Sequence, residues 1–225
     1  MTHKALRIAV AFATFTTGLT VVWLSGLLAS AETRLADWLV PTQEVALPAP
    51  SLVPTEEAET NEVYKTLIRD LLTYPGTRLA VVTSKAGGYP GLEVNDAALE
   101  TEYVQRRMPG VRADTLSDYI SKSGREERLT DLHGLGMELA LVDPYELEKL
   151  FATNGVGGWN LFYQKYPGSS GIISFSRVGF SREHDQAFVN ASRWCGGLCG
   201  DGWDVILRKT ERGWIIEEKR MVWVS

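Results

Sequence analysis

An uncharged hydrophobic stretch near the N-terminus constrains this chain more than any other feature. From Ile8 to Ala31 there is no charged residue, and about 20 apolar residues are enough to cross the hydrocarbon core of a bilayer. Lys4 and Arg7 precede the stretch and Glu32 follows it. Because basic residues flank membrane helices on the cytoplasmic side, residues 1–31 are predicted to form a single-pass transmembrane anchor with a cytoplasmic N-terminus.

A cleavable signal peptide is the alternative interpretation of this segment. Ala29-Ser30-Ala31 has the small residues of a signal-peptidase site, so cleavage near Ala31 would give a secreted or periplasmic protein. The apolar core of a signal peptide is usually about 7 to 15 residues long. The longer stretch here, residues 8–31, favours the anchor, and both interpretations place the rest of the chain outside the cytoplasm.

The segment after the anchor, residues 32–55, is predicted to be a linker. Its prolines are closely spaced, at Pro41, Pro48, Pro50 and Pro54. Such spacing prevents helix formation and favours an extended, semi-rigid chain. Residues 56–225 are then one extracytoplasmic domain, long enough for a single hydrophobic core.

Helical and strand patterns are segregated along this domain. Helical spacing of apolar residues predicts helices in the first part, starting at the caps Thr55, Asp114 and Asp143, with two short strands between them, at 79–82 and 137–142. The last 55 residues contain four β-rich runs, at 172–180, 186–194, 203–209 and 214–224. Helices followed by strands predict an α+β fold that ends in a four-stranded antiparallel meander, rather than a parallel doubly wound sheet.

The charge balance argues against a nucleic-acid-binding protein. The chain has a formal net charge of −5, and the part after residue 31 carries 21 basic against 28 acidic residues, without a basic run. Binding to a phosphate backbone needs clustered Lys and Arg. The expected partners are therefore the membrane, through residues 8–31, and an envelope protein or small ligand.

The two cysteines of the chain are four residues apart, in Cys195-Gly196-Gly197-Leu198-Cys199. In an exported protein this spacing, between the second and third predicted strands, favours a disulfide that closes a tight turn. Free thiols, a redox pair and half of a zinc site are the alternatives. Redox motifs usually have the form C-x-x-C, and structural zinc needs four ligands, so no metal or other cofactor is expected.

Catalytic candidates are few. His133 follows Asp131 in a polar segment, and His184 lies between Glu183 and Asp185 in a predicted turn. A histidine near a carboxylate can act as a general base, which keeps open an envelope hydrolase that uses His133 and Asp131. A solvent-exposed role is more common for a histidine in a polar turn, and no H-E-x-x-H or G-x-S-x-G motif supports catalysis.

Aromatic residues supply the candidates for ligand binding. Trp159, Tyr163 and Tyr166 follow one another in a segment that ends at Pro167. Exposed Trp and Tyr offer large, rigid surfaces to a carbohydrate or peptide. Ordinary packing into the core is the favoured interpretation, because sheets are rich in aromatic residues.

The last third of the chain resembles a group of uncharacterised bacterial envelope or secreted proteins. The similarity rests on Trp159, Tyr166-Pro167, Ser176 to Phe180, Cys195 to Trp203, and Gly213 to Ser225. It implies an envelope location and brings no activity or catalytic residues with it. The closing strand-turn-strand also looks like the end of the NTF2-like cone domains, a generic fold similarity that implies no function.

Together these observations predict a membrane-anchored, extracytoplasmic domain without catalytic activity, which binds a partner or small ligand. The binding surface is expected on the solvated face of the meander or in the segment 155–171.

Overall fold

The computed structural model describes residues 54–87, 97–154 and 157–225. The helices are α1 Glu56–Leu67, α2 Ala97–Arg107, α3 Ala113–Lys122, α4 Pro144–Asn154 and α5 Gly158–Lys165, and a π-helical turn, Ile68–Leu72, extends α1. The strands are β1 Leu79–Thr83, β2 Lys85–Ala86, β3 Glu127–Arg128, β4 Glu138–Val142, β5 Ser169–Phe175, β6 Gly179–Phe180, β7 Gln186–Gly196, β8 Cys199–Thr210 and β9 Gly213–Val224. The fold is therefore α+β, as predicted.

The predicted anchor, residues 1–31, and most of the predicted linker, residues 32–55, lie outside the described residues. No helix in the described part of the chain combines the length and the hydropathy that crossing a bilayer needs. The anchor therefore stays a prediction from the sequence.

Local capping starts two helices as the sequence predicts. The hydroxyl of Thr55 accepts a hydrogen bond of 3.2 Å from the backbone N–H of Ala58 at the start of α1. A carboxylate oxygen of Asp143 accepts one of 2.9 Å from the backbone N–H of Tyr145 at the start of α4. Each bond satisfies a backbone donor that the first turn of a helix leaves free.

The predicted cap of α3, Asp114, is wrong. The cap position is held by Arg112, whose side chain makes no capping bond. Asp114 lies inside the first turn, and its carboxylate instead accepts the backbone N–H of Arg182 at 3.0 Å. The carboxylate oxygen that was expected to cap α3 is therefore used in a tertiary contact with the backbone of Arg182.

One mixed, seven-stranded sheet organises the domain. Its order is β4-β1-β5-β7-β8-β9, and β6 pairs with β7 beside this path. β1 is parallel to β4 and to β5, whereas β5, β7, β8 and β9 pair antiparallel. A sheet made only of a four-stranded meander is not confirmed, because two strands from the helix-rich half extend it in parallel. The short apolar runs that form β1 and β4 carry no local signal of the sheet they join.

The predicted strand 172–180 is broken into β5 and β6. Gly179 begins β6 directly against α3, where an added Cβ would lie 2.5 Å from the Cβ of Tyr119. The chain therefore bends here so that helix and strand can approach closely, which only a glycine permits.

Helices cover both faces of the sheet. Ala80 and Val82 of β1 pack in a core with α1, whereas Val81 packs with α4 and α5. In β7, Phe188 faces α2 and α3, and its neighbours Ala187 and Val189 face α1. Successive side chains of a strand point to opposite faces, so α1 lies on one face and the other four helices lie on the opposite face.

Candidate functional site

Four basic side chains line a groove between the C-terminal end of α2 and the second half of β9. The groove has a volume of about 580 Å³. Its lining residues are Arg106, Arg107, Pro109, Lys219, Arg220 and Met221. No acidic residue is among them, although the whole chain has a net charge of −5. The groove is thus a local concentration of positive charge on an acidic protein.

The end of α2 positions one side of this basic groove. α2 ends at Arg107. Pro109, two residues later, has no backbone N–H and cannot continue the helix. Arg106 and Arg107 occupy its last turn, where the partial negative charge of the helix C-terminus favours cations. Arg107 also donates a hydrogen bond of 2.8 Å from Nη2 to the backbone carbonyl of Met221. This bond fastens α2 to β9 and fixes the width of the groove.

The edge of the sheet supplies the other side. β9 is the last strand in the sheet order, and Lys219 and Arg220 lie on it opposite Val205 and Asp204 of β8. Lys219 Nζ is 5.4 Å from the centre of the Trp203 ring, an attractive contact between a cation and an aromatic face. Charged side chains on an edge strand also discourage pairing with another chain, so the edge position alone explains part of the charge.

Few carboxylates oppose the four cations directly. Arg220 Nε lies 3.2 Å from a carboxylate oxygen of Glu218, and both side chains are partly exposed. Arg107 Cζ lies 5.2 Å from the centre of the Tyr103 ring, and Arg107 Nε is buried without a hydrogen-bond partner among the described residues. Within the described residues, the Arg220–Glu218 pair is the one ion pair that these four cations make, so the groove keeps a positive surplus.

Two further acids, Asp204 and Glu100, have pKa values above their ordinary values. Burial raises the pKa of Asp204, with an opposing contribution from a hydrogen bond that Asn190 donates and from the charge of Arg107. Burial also raises the pKa of Glu100, and the charge of Asp204 raises it further. A raised pKa means that burial disfavours the carboxylate form of each acid in the folded protein.

The predicted disulfide is confirmed. Cys195 and Cys199 are bonded across the β7–β8 hairpin, with their Cα atoms 5.0 Å apart. Gly196 pairs with Cys199, and the hairpin loop consists of Gly197 and Leu198. The bond closes the turn of a long hairpin, and Leu198 at its tip is 92% exposed.

The aromatic side chains predicted to bind a ligand pack against one another and the core. Trp159 and Tyr163 of α5, and Tyr166 just after it, are packed against the core beneath α4 and α5. The Trp159 ring lies 5.5 Å from that of Phe162, and the Tyr163 hydroxyl donates a hydrogen bond of 2.8 Å to the carbonyl of Cys195. These contacts explain the aromatic character of the segment without a ligand.

The predicted catalytic pair lies in an exposed loop. His133 and Asp131 are both exposed, and the only hydrogen bond described between them joins the backbone N–H of His133 to a carboxylate oxygen of Asp131 at 3.0 Å. That bond is an Asx-type turn and leaves the imidazole unoriented. Within the described part of the chain, no three His, Cys, Asp or Glu side chains group as metal ligands.

The His184 side chain, by contrast, contacts both a buried carboxylate and an aromatic ring. Its Nδ1 lies 2.9 Å from a carboxylate oxygen of Glu59, whose side chain is only 6% exposed, and the same carboxylate contacts Lys209 Nζ. The His184 ring stacks on Phe180 with a centre distance of 5.2 Å. We call Glu59, His184 and Lys209 the Glu59 cluster, and it joins the start of α1 to the β6–β7 turn and to β8.

The basic groove was missed by analysis of the sequence. Arg106-Arg107 and Lys219-Arg220 are two dibasic pairs more than 100 residues apart, and neither pair is long enough to count as a basic run. The only local signal is that each pair lies beside a predicted element boundary or chain end. Their proximity comes from the docking of α2 on the edge of the sheet.

No protein-family model matches this chain, and neither a curated protein nor a solved structure is significantly similar to it.

Proposed function

We propose that this protein is a non-catalytic binding module of the cell envelope and that it binds an anionic ligand in the basic groove. Residues 8–31 anchor it in the cytoplasmic membrane with the N-terminus inside, residues 32–55 act as a spacer, and residues 56–225 face the extracytoplasmic side. The resemblance of the last third to bacterial envelope or secreted proteins agrees with this location.

The convergence of four cations in one groove carries the proposal. Arg106 and Arg107 from α2 meet Lys219 and Arg220 from β9 around about 580 Å³ of space, which is in the range of small-molecule sites. Arginine presents several N–H donors in a planar fork that matches phosphate and carboxylate groups. A ligand with several negative charges would replace the missing carboxylates and relieve the repulsion among the cations.

The chemistry of the groove favours binding over catalysis. Arginine stays protonated in proteins and therefore serves poorly as a general acid or base. The described lining residues include no histidine, cysteine, serine or carboxylate that could act as a nucleophile or transfer a proton. The fourth cation among the described lining residues is Lys219, whose ammonium group contacts the Trp203 ring.

Titration with inositol hexakisphosphate, a compact polyanion, tests the proposal. The full chain in neutral detergent is expected to bind this probe in isothermal calorimetry, and added salt is expected to weaken the binding through screening. In the double variant Arg106→Glu and Lys219→Glu, attraction becomes repulsion, and we expect the affinity to fall by at least about tenfold.

Arg212→Glu is the control, because it makes one of the same charge reversals on an exposed residue of the β8–β9 turn. It lies eight residues before Arg220, roughly 26 Å away along β9 at 3.3 Å per residue. Its affinity for the probe should stay within about twofold of the wild type. Equal binding by the wild type and the double variant would refute the groove as the site.

Thiol labelling tests the proposed location separately. Cys195 and Cys199 should resist alkylation in intact cells until a reductant is added, because disulfides persist outside the cytoplasm. The intact mass of the same sample shows whether residues 1–31 are retained. Free alkylation in untreated cells would contradict the extracytoplasmic location and leave the anion-binding test unaffected.

A further inference from the structure

Exposed apolar side chains border the basic groove on both sides. Tyr103 lies one turn before Arg107 on α2 and is 40% exposed, and Met221 on β9 is 44% exposed. Val224, three residues further along β9, is 70% exposed. Cations mixed with exposed apolar residues are typical of surfaces that lie on anionic membranes, where the apolar side chains enter the headgroup layer and the cations contact phosphates.

The tether determines which anionic surface the basic groove meets first. If residues 8–31 span the membrane, the 24 residues of the linker connect the bilayer to α1. A flexible chain of that length has a mean reach of roughly 27 Å, and a fully extended polyproline chain reaches roughly 74 Å. The domain therefore stays within tens of ångströms of the lipid headgroups at all times.

We infer that the anionic ligand of the basic groove is the phospholipid headgroup layer of the membrane that holds the anchor. This inference rests on the proposed function and identifies its ligand as an anionic lipid such as phosphatidylglycerol. The domain docks with the groove and its apolar border on the bilayer, so that the α2 end and the β9 edge face the lipid.

Docking of this kind is weak for a free domain and effective for a tethered one. Each Lys or Arg near an anionic membrane strengthens association by roughly fivefold, and four cations alone give only modest affinity. A short tether supplies an effective concentration on the order of millimolar. The same four cations then suffice to keep a tethered domain on the surface for much of the time.

Hydrogen exchange of the full chain in nanodiscs tests the inference. Discs of phosphatidylcholine alone are compared with discs of phosphatidylcholine mixed with phosphatidylglycerol. We expect amide exchange at the end of α2 and in the second half of β9 to slow at least about threefold in the anionic discs, and the protection to disappear at high salt. The β7–β8 hairpin tip should exchange equally in both discs.

Three variants separate lipid binding from other causes of protection. Arg106→Glu with Lys219→Glu should lose the lipid-dependent protection, whereas Arg212→Glu should keep it. Tyr103→Ser with Met221→Ser leaves all four cations in place and should retain binding of inositol hexakisphosphate while reducing protection in the anionic discs. Equal protection in the two lipid compositions would overturn the inference.

The outcomes also distinguish failure of this inference from failure of the proposed function. Binding of inositol hexakisphosphate without any lipid-dependent protection would keep the groove as an anion site and assign it to a soluble ligand. Absence of both would reject the anion site itself. Release of the chain from nanodiscs during preparation would reject the anchor, and with it the membrane as the ligand.

Discussion

The Glu59 cluster and the basic groove use charge in opposite ways. In the Glu59 cluster a carboxylate with 6% side-chain exposure contacts His184 and Lys209, so a buried acid is matched by basic partners. In the basic groove the four cations make, among the described residues, a single ion pair, between Arg220 and Glu218. The matched charges of the Glu59 cluster hold α1, the β6–β7 turn and β8 together. The unmatched cations of the basic groove stay solvated and can bind a ligand. Mutations should therefore affect stability in the first region and binding in the second.

The largest loss of stability is expected for Glu59→Gln. Removing one partner of a buried ion pair leaves the others unmatched, which typically costs about 3 to 5 kcal/mol. Lys209 and His184 remain 36% and 39% exposed and can regain water, so we expect a loss below this range, about 2 kcal/mol. Urea unfolding measures it.

Glu62→Gln is the matched control for this variant. Glu62 pairs with Lys65 at 2.8 Å within α1, but its side chain is 56% exposed. Such surface pairs contribute roughly 0.2 to 0.5 kcal/mol. If the two variants lose the same stability, the Glu59 cluster is no more important than a surface pair.

A smaller effect, dependent on pH, is expected for Asp204→Asn. Burial raises the pKa of Asp204, so the folded state disfavours its charge. The resulting penalty is present above the raised pKa and disappears as the pH falls below the ordinary value of 3.8. The variant should thus gain stability relative to the wild type at neutral pH, and the gain should shrink on acidification.

Urea midpoints of the two proteins between neutral and acidic pH measure this difference. A difference that stays constant over the whole range would show that Asp204 carries no titration-linked penalty. Asn can still accept the hydrogen bond of 2.9 Å that Asn190 donates. Its NH2 group takes the place of the buried Oδ2 atom, which has no hydrogen-bond partner among the described residues, so the part of the difference that changes with pH reports the charge.

Arg112→Ala should affect an exposed pair and change stability by less than about 1 kcal/mol. Hydrogen bonds from Arg112 and Ser181 lower the pKa of Asp185 to about 2. A lowered pKa stabilises the fold above the ordinary value of 3.8, and this contribution is lost as the pH falls toward 2. In the variant the pKa should rise toward 3.8, and NMR titration of the Asp185 carboxyl group measures it.

Ser181 donates a hydrogen bond of 2.7 Å to Asp185, and this bond is kept in the variant. We therefore expect the pKa of Asp185 to rise only part of the way toward 3.8. Arg182→Ala, a neighbouring exposed arginine, should leave the Asp185 pKa where it is. If the pKa of Asp185 rises by the same amount in both variants, the loss of any nearby positive charge would explain the rise, and the specific pair with Arg112 would not be needed.

The smallest effect on stability is expected for Arg106→Ala in the basic groove. Arg106 is exposed, and its removal reduces repulsion among the cations, so unfolding free energy should change by no more than about 0.5 kcal/mol. Its affinity for inositol hexakisphosphate should nevertheless fall. A loss of stability as large as that of Glu59→Gln would mean that the groove is structural.

Local features of the fold could be predicted from the sequence. The caps at Thr55 and Asp143 depend on a few neighbouring residues, and the Cys195–Cys199 bond lies within one hairpin. The failure at Asp114 shows the limit of this reasoning, because the backbone of Arg182 competes for the same carboxylate. Sequence patterns describe such competition only when the competitor is nearby in the chain.

The assignment of residues to the candidate site was much less predictable. His184 has the sequence context of a solvated turn, yet it meets Glu59 from 125 residues away and takes a φ of 52°. Trp159 and Tyr163 have residue types that suit either a binding surface or a core, and only the structure shows that they pack against the core. Neither the residue type nor the periodic spacing of apolar residues specifies which face of a helix or strand is covered by another element.

The sequence by itself determined the hydrophobic segment 8–31, the acidic balance, the α+β class and the disulfide, because each follows from residues that are adjacent or a few positions apart. Only the tertiary structure decided that β1 and β4 extend the sheet in parallel, and that Arg106-Arg107 and Lys219-Arg220 share one groove. These outcomes depend on long-range packing, in which α2 docks against the edge of the sheet and brings together charges that the chain keeps more than 100 residues apart.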